Sequence, residues 1–165
     1  MIIPGNVSLQ CVSWNIAGKY ELFSLKQLQL YIERYDIICL TETHATQSGS
    51  VNFPNYKVFE FPDYNCNHEY PRGGICLLVK HEIKNYIKSV SLLMTDFVEI
   101  VFTNDLRLIN LYIPPVDSAY YDEQYIELLC SMFVEADIEK RSLISMGDLN
   151  VRLGNLNSIS NDYTF

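Results

Sequence analysis

Two short, unbroken apolar runs constrain this chain more than any other feature. Asp36 to Thr41 reads DIICLT and Gly74 to Lys80 reads GICLLVK. A strand with one wet face alternates apolar and polar residues. A short run that does not alternate, bounded by polar residues, is a strand covered on both faces. Covering both faces requires a layer on each side, and two helical patterns are present to help supply them. Ser24 to Gln27 has capping-box spacing, with Leu25, Leu28 and Ile32 following at helical intervals. Tyr121 to Ala136 predicts a second helix, with Ile126, Leu129, Cys130 and Phe133 as its apolar stripe.

The remaining segments read as strands. Ser8 to Ile16 alternates until Gly18 breaks it, and Tyr56 to Phe61 alternates as well. Phe97 to Thr103 and Arg107 to Ile113 predict a hairpin around Asn104 and Asp105, stopped by Pro114 and Pro115. Ser142 to Met146 is a last apolar strand. The order strand, helix, strand, several strands, helix, strand predicts an α/β layered domain with a mixed sheet. With 165 residues there is room for one domain, spanning 1–165, and no repeat or linker divides it.

Composition narrows the function classes. Hydrophobic residues at 48% exclude a disordered chain. The apolar stretches fall far short of the ~20 residues of a membrane span, and the start at Met1 has no secretory pattern. A soluble chain with no membrane partner is expected. Five cysteines without paired spacing, four of them among apolar neighbours, predict buried reduced thiols, an intracellular location and no zinc site. Twelve basic against 20 acidic residues give a net charge of −8. That balance lacks the basic footprint usual for nucleic-acid binding. Lys80, His81, Lys84 and Lys88 form the local basic cluster, whereas Leu108 to Ile138 contains no Lys or Arg.

Polar residues recur at or just past the carboxyl ends of the predicted strands: Asn15, Glu42, Tyr112, and Asp148 with Asn150. In open α/β sheets that edge is where ligands bind, because strand ends bring side chains from separate loops to one crevice. Each residue alone reads as an ordinary turn or surface residue. The ordered set is more informative: Ser13 to Gly18 (SWNIAG), Asp36 to His44 (DIICLTETH), Arg72 to Ile75 (RGGI), Asn110 to Pro115 (NLYIPP) and Met146 to Gly154 (MGDLNVRLG).

This succession, from about Ser8 to Gly154, resembles the endonuclease/exonuclease/phosphatase superfamily, whose fold is that of deoxyribonuclease I. Within it, the Thr-Glu-Thr and Gly-Asp-Leu-Asn blocks are most similar to the endonuclease domains of non-LTR retrotransposons. The resemblance implies a layered α/β sandwich and Mg²⁺- or Mn²⁺-dependent phosphodiester hydrolysis. It implies DNA as partner, a downstream reverse-transcriptase region and a nuclear site of action. It makes Glu42 the metal ligand, a hard carboxylate suited to Mg²⁺. Asn15 would support metal and phosphate, and Tyr112 would reach the scissile phosphate. Asp148 would orient or deprotonate the attacking water, with Asn150 contacting the phosphate. His44 is a substrate-binding candidate. Arg72 reads as structural first and phosphate-contacting second. His68 and His81 match no motif and read as surface residues.

Members of the superfamily continue further, into a Ser-Asp-His-like block whose histidine stabilises the transition state. Only Asn155 to Phe165 follow the Met146 to Gly154 block here. The expectation is a domain incomplete at its C-terminus, with exposed apolar faces and open edges, and weak or absent catalysis. Loss of one positioned electrostatic group costs on the order of 10²–10³ in rate. A catalytically dead fragment acting as an interaction module, and a superfamily phosphatase for a small phosphorylated ligand, are the alternative readings.

Overall fold

A computed structural model describes residues 2–3, 7–45, 53–62 and 73–150. Its elements in chain order are β1 (Ile2–Ile3), β2 (Val7–Ser8), β3 (Cys11–Asn15), a 3-10 turn (Tyr20–Ser24), α1 (Lys26–Ile32), β4 (Ile37–Thr41), β5 (Tyr56–Phe61) and β6 (Ile75–Lys80). A second 3-10 turn (His81–Tyr86) leads to β7 (Ile87–Met94), β8 (Phe97–Phe102), β9 (Arg107–Tyr112), α2 (Gln124–Glu139) and β10 (Leu143–Asp148).

The strands form two four-stranded mixed sheets, ordered β3-β4-β6-β5 and β10-β9-β8-β7, plus the small antiparallel pair β1-β2. Each large sheet contains one parallel pair, β3 with β4 and β9 with β10. Facing residues of the two sheets share one core: Ile37, Cys39, Ile75, Leu77 and Val79 from the first, Val98, Ile100, Phe102 and Leu108 from the second. The outer face of the first sheet carries Ile38, Leu40, Cys76 and Leu78, covered by Phe23 and Ile32 of the helical segments. The outer face of the second carries Phe97, Ile109 and Leu111, covered by Tyr125 and Met132 of α2. The molecule is thus helix, sheet, sheet, helix. All five residues of β4 are buried, as the unbroken apolar run requires. Among the described residues no helix is long and apolar enough to cross a membrane.

Several expectations need correction. The predicted strand Ser8 to Ile16 is interrupted at Leu9 and Gln10, because the Gln10 carbonyl accepts the Asp36 and Ile37 amides and its own N–H donates to the Asp36 carboxylate at 2.8 Å. Ser24 does not cap α1. Its hydroxyl donates back to the Glu21 carbonyl at 2.7 Å, and Leu25, which is exposed, stands at the N-cap. Of the predicted α2 stripe only Leu129 packs toward the core: Tyr125, Met132 and Ala136 are buried, whereas Ile126 and Phe133 are exposed along with Val134 and Ile138. Cys130 is exposed rather than buried, while Cys39 and Cys76 are buried and Cys11 is half-buried. Burial pushes the Cys11 thiol up to about 11.

Strand β7 had no sequence signal of comparable strength. It is an edge strand with two register irregularities against β8, and its apolar alternation is broken accordingly. The basic cluster before it is partly neutralised: Lys80 pairs with Asp36 at 3.2 Å and Lys88 with Asp105 at 3.0 Å. The β8–β9 connection is a four-residue turn, 103–106. Asp105 adopts φ +59°, and the Asn104 side chain accepts the Leu106 amide.

Candidate active site

The interior of the sandwich changes character along its length. Alternation places Ile37, Cys39 and Thr41 of β4 on the inner face, and likewise Cys11, Ser13 and Asn15 of β3. On the second sheet the inner series are Leu108, Asn110 and Tyr112 of β9 with Ile144, Met146 and Asp148 of β10. Each series begins apolar, or nearly so, and ends polar at the carboxyl end of its strand. In-register pairing sets Asn15 beside Thr41 and Asp148 beside Tyr112. Two parallel pairs therefore deliver four polar chain ends to one end of the molecule.

Bonds between the sheets join these ends. Asn15 Nδ2 donates to Asp148 Oδ2 at 3.3 Å. The Tyr112 phenol interacts with the Glu42 carboxylate across the sheets. His44 Nε2 lies 2.9 Å from Glu42 Oε2 and holds that carboxylate in place. Asn15 Oδ1 accepts the Ala17 amide at 3.1 Å, which fixes the amide orientation toward Asp148. On the opposite side Asp148 Oδ1 accepts the Asn150 amide at 3.0 Å, and Asn150 Nδ2 donates to the Ile113 carbonyl at 2.9 Å.

The loops that place these groups are tightly bent. Glu42 and His44 both have φ +53°, and Asn150 has φ +46°. Non-glycine residues in that region cost of order 1–3 kcal/mol each and collect where function demands a fixed geometry. Thr43 and His44 donate their amides to the carbonyls of Gly74 and Gly73, at 3.2 and 2.9 Å. The glycine pair, at φ +62° and +81°, thus anchors the Glu42–His44 segment. Gly18 donates to the Glu42 carbonyl at 2.7 Å, and a Cβ there would stand 2.8 Å from His44 Nδ1.

Burial, followed by the Glu42 hydrogen bond and the charges of Glu42, Asp148 and Asp96, pushes the Tyr112 phenol far above its usual value. Tyr112 therefore keeps its phenolic proton and can serve as a hydrogen-bond donor. Asp96 was missed by the sequence reading. It sits at the β7–β8 turn, buried, with Oδ2 accepting from the Tyr125 hydroxyl at 3.0 Å, and its carbonyl receives the Tyr112 amide. A lone Asp in a turn gives no signal of that role.

The structure thus brings together Asn15, Glu42, His44, Tyr112, Asp148 and Asn150, the last through the shared Asp148 carboxylate. Arg72 and His68 lie outside the described residues, and His81 is exposed, as expected of a surface residue. No group of three or more His, Cys, Asp and Glu side chains poised for a metal occurs among the described residues. The donors at hand are two carboxylates and an asparagine amide. That set fits Mg²⁺, which binds through one or two carboxylates and keeps waters and substrate oxygens for its remaining positions.

Comparison with solved structures gives the same fold. A 3′ phosphatase, NExo, from Neisseria bound to a product DNA hairpin superposes with a TM-score of 0.57 at 16% identity, over 90% of this chain and 60% of that one. An AP endonuclease from Archaeoglobus fulgidus gives 0.56 at 18%, over 87% and 58%. The catalytic domain of Xenopus laevis APE2 gives 0.55 at 19%, over 86% and 58%. The chain therefore spans roughly three-fifths of the length of the solved structures it resembles. No curated protein matches it in sequence. The sequence profile of one family matches residues 12–163, nearly the whole chain. Together with the paired sheets, this places the chain in the endonuclease/exonuclease/phosphatase family.

Proposed function

We propose that this chain is the N-terminal part of a Mg²⁺-dependent DNA endonuclease domain of retrotransposon type, nicking one strand by phosphodiester hydrolysis. The observation that carries it is a pair of interactions between sheets, the Asn15–Asp148 hydrogen bond and the approach of Tyr112 to Glu42. They gather four motif residues from separate strand ends into one site. The TETH and GDLN segments support the retrotransposon branch. A reverse-transcriptase region downstream and action on nuclear DNA belong to the same reading.

The chain's own residues have separable roles. Asp148 keeps both carboxylate oxygens anchored, Oδ2 by Asn15 and Oδ1 by Asn150, and offers its remaining lone pairs to orient a water or take its proton. Tyr112 keeps its proton and can turn its hydroxyl from Glu42 toward a phosphate oxygen. Asn15 and Asn150 supply neutral amide contacts. His44 holds Glu42 in place.

Glu42 and Asp148 put negative charge where a phosphate must bind. That electrostatic conflict is the reason a cation is required. Glu42 would hold Mg²⁺, with Asp148 or Asn15 alongside, and the ion when bound neutralises phosphate charge and polarises the phosphoryl oxygen.

The reading is tested by offering the purified chain with Mg²⁺ two substrates, supercoiled plasmid and a small aryl phosphomonoester. Conversion of plasmid to the open circle without release from the monoester is expected. Hydrolysis of the monoester with no effect on DNA would replace the nuclease with a phosphatase.

A further inference from the structure

One pleat below the site the two sheets are joined by a bond that no assigned role uses. Ser13 Oγ on β3 donates to Asn110 Oδ1 on β9 at 2.7 Å, and Asn110 is only 1% exposed. Each partner stands two residues before a site residue on the same strand and the same face: Ser13 before Asn15, Asn110 before Tyr112. The bond therefore lies directly under the two contacts that close the site. Nearby, Thr41 completes the inner face of β4 and is fully buried.

A stabilising role alone explains this layer poorly. Asn110 Nδ2 and Thr41 Oγ1 are both buried without a hydrogen-bond partner. Leaving such groups unpaired is destabilising, whereas a pair of apolar residues of similar shape is close to neutral. Leu108, one pleat further in, shows that the core accommodates leucine on this face of β9. A polar link that weakens the core but fixes one strand against another is a device for specifying geometry.

We propose that Ser13 and Asn110 are positioning residues. Their hydrogen bond sets the offset between β3 and β9, and through it the meeting of Asn15 with Asp148 and of Tyr112 with Glu42. The proposal rests on the nuclease reading for its functional meaning, but its structural claim stands apart from activity. A shift of about 1 Å in such a constellation costs on the order of 10²-fold in rate.

The test uses Ser13→Ala, the double variant Ser13→Ala/Asn110→Leu, and Ser13→Thr, which keeps the hydroxyl. Three properties are read: the melting temperature, the Asn15 side-chain amide pair in ¹⁵N–¹H spectra (assigned with Asn15→Ser), and the kcat and KM for plasmid nicking. The double variant should melt no lower than the wild type by more than a few degrees. Its Asn15 amide signals should move, and kcat should fall about 10–100-fold with KM little changed. Ser13→Thr should restore both the signals and kcat. Should the double variant fail to fold, the same readings are taken on Ser13→Ala. Asn15 amide signals identical to wild type would overturn the proposal, whatever the rate. A wild type that does not nick would sink the nuclease reading, while the amide signals would still decide the positioning role.

Discussion

Asn15 Nδ2 and Asp148 Oδ2 are 3.3 Å apart, and the two residues terminate edge strands of different sheets. The site therefore belongs to neither sheet. It exists only where the sandwich closes, and residues 133 positions apart in sequence depend on the same docking. Features that set how the sheets and their end loops approach one another are thus the most sensitive points of the molecule.

Gly147 is one of them. It lies in β10 opposite Leu111 at φ +143°, and a Cβ there would fall 1.8 Å from the Leu111 carbonyl oxygen. The obstacle is backbone, which cannot step aside as a side chain does. Gly147→Ala should lose more than about 2 kcal/mol and lower the melting temperature by roughly 4–8 °C. Thermal denaturation followed by circular dichroism checks this, and an unchanged midpoint would contradict the packing described for β9 and β10.

Gly18 acts on the site more gently. Its φ of +71° disfavours any side chain, and an added methyl would press on His44, whose ring can rotate away. Gly18→Ala should cost about 1 kcal/mol by denaturant titration. It should also lower nicking about tenfold by releasing Glu42 from His44. His44→Ala should reproduce the rate loss without the backbone cost.

Alkaline pH should destabilise the fold through Tyr56. Its hydroxyl is shared between the carbonyls of Ile32 and Tyr35, each at 2.8 Å, and burial pushes the phenol up to about 12. An unfolded tyrosine titrates near about 10. Between those values the unfolded state binds fewer protons, so unfolding free energy falls as pH rises. The stabilisation is fully present below pH of about 10 and is lost toward about 12. Denaturant midpoints across this window should fall less steeply in Tyr56→Phe than in the wild type. Equal slopes would show that other groups carry the effect.

Legibility in the sequence followed the physics of each element. DIICLT and GICLLVK were readable because a strand covered on both faces needs no particular phase. The phase of α2 was misread because it has apolar residues on two adjoining flanks, and only the sheet beneath decides which one is core. Ser24 looked like a cap from spacing alone, but the chain used its hydroxyl to close the preceding 3-10 turn. The grouping of Asn15, Glu42, Tyr112 and Asp148 was legible because each stands at or just past the carboxyl end of a strand. The Ser13–Asn110 link was not, since 97 residues separate its partners and no local pattern marks them.

The central claim is that Glu42 and Asp148 form the working centre of a phosphodiesterase site. Its most direct test is supercoiled-plasmid nicking in Mg²⁺ by the wild-type chain beside Glu42→Ala and Asp148→Asn. The account predicts nicking by the wild type and a loss on the order of 10²–10³ in either variant. Nicking that persists in both variants would place the chemistry elsewhere and contradict the account.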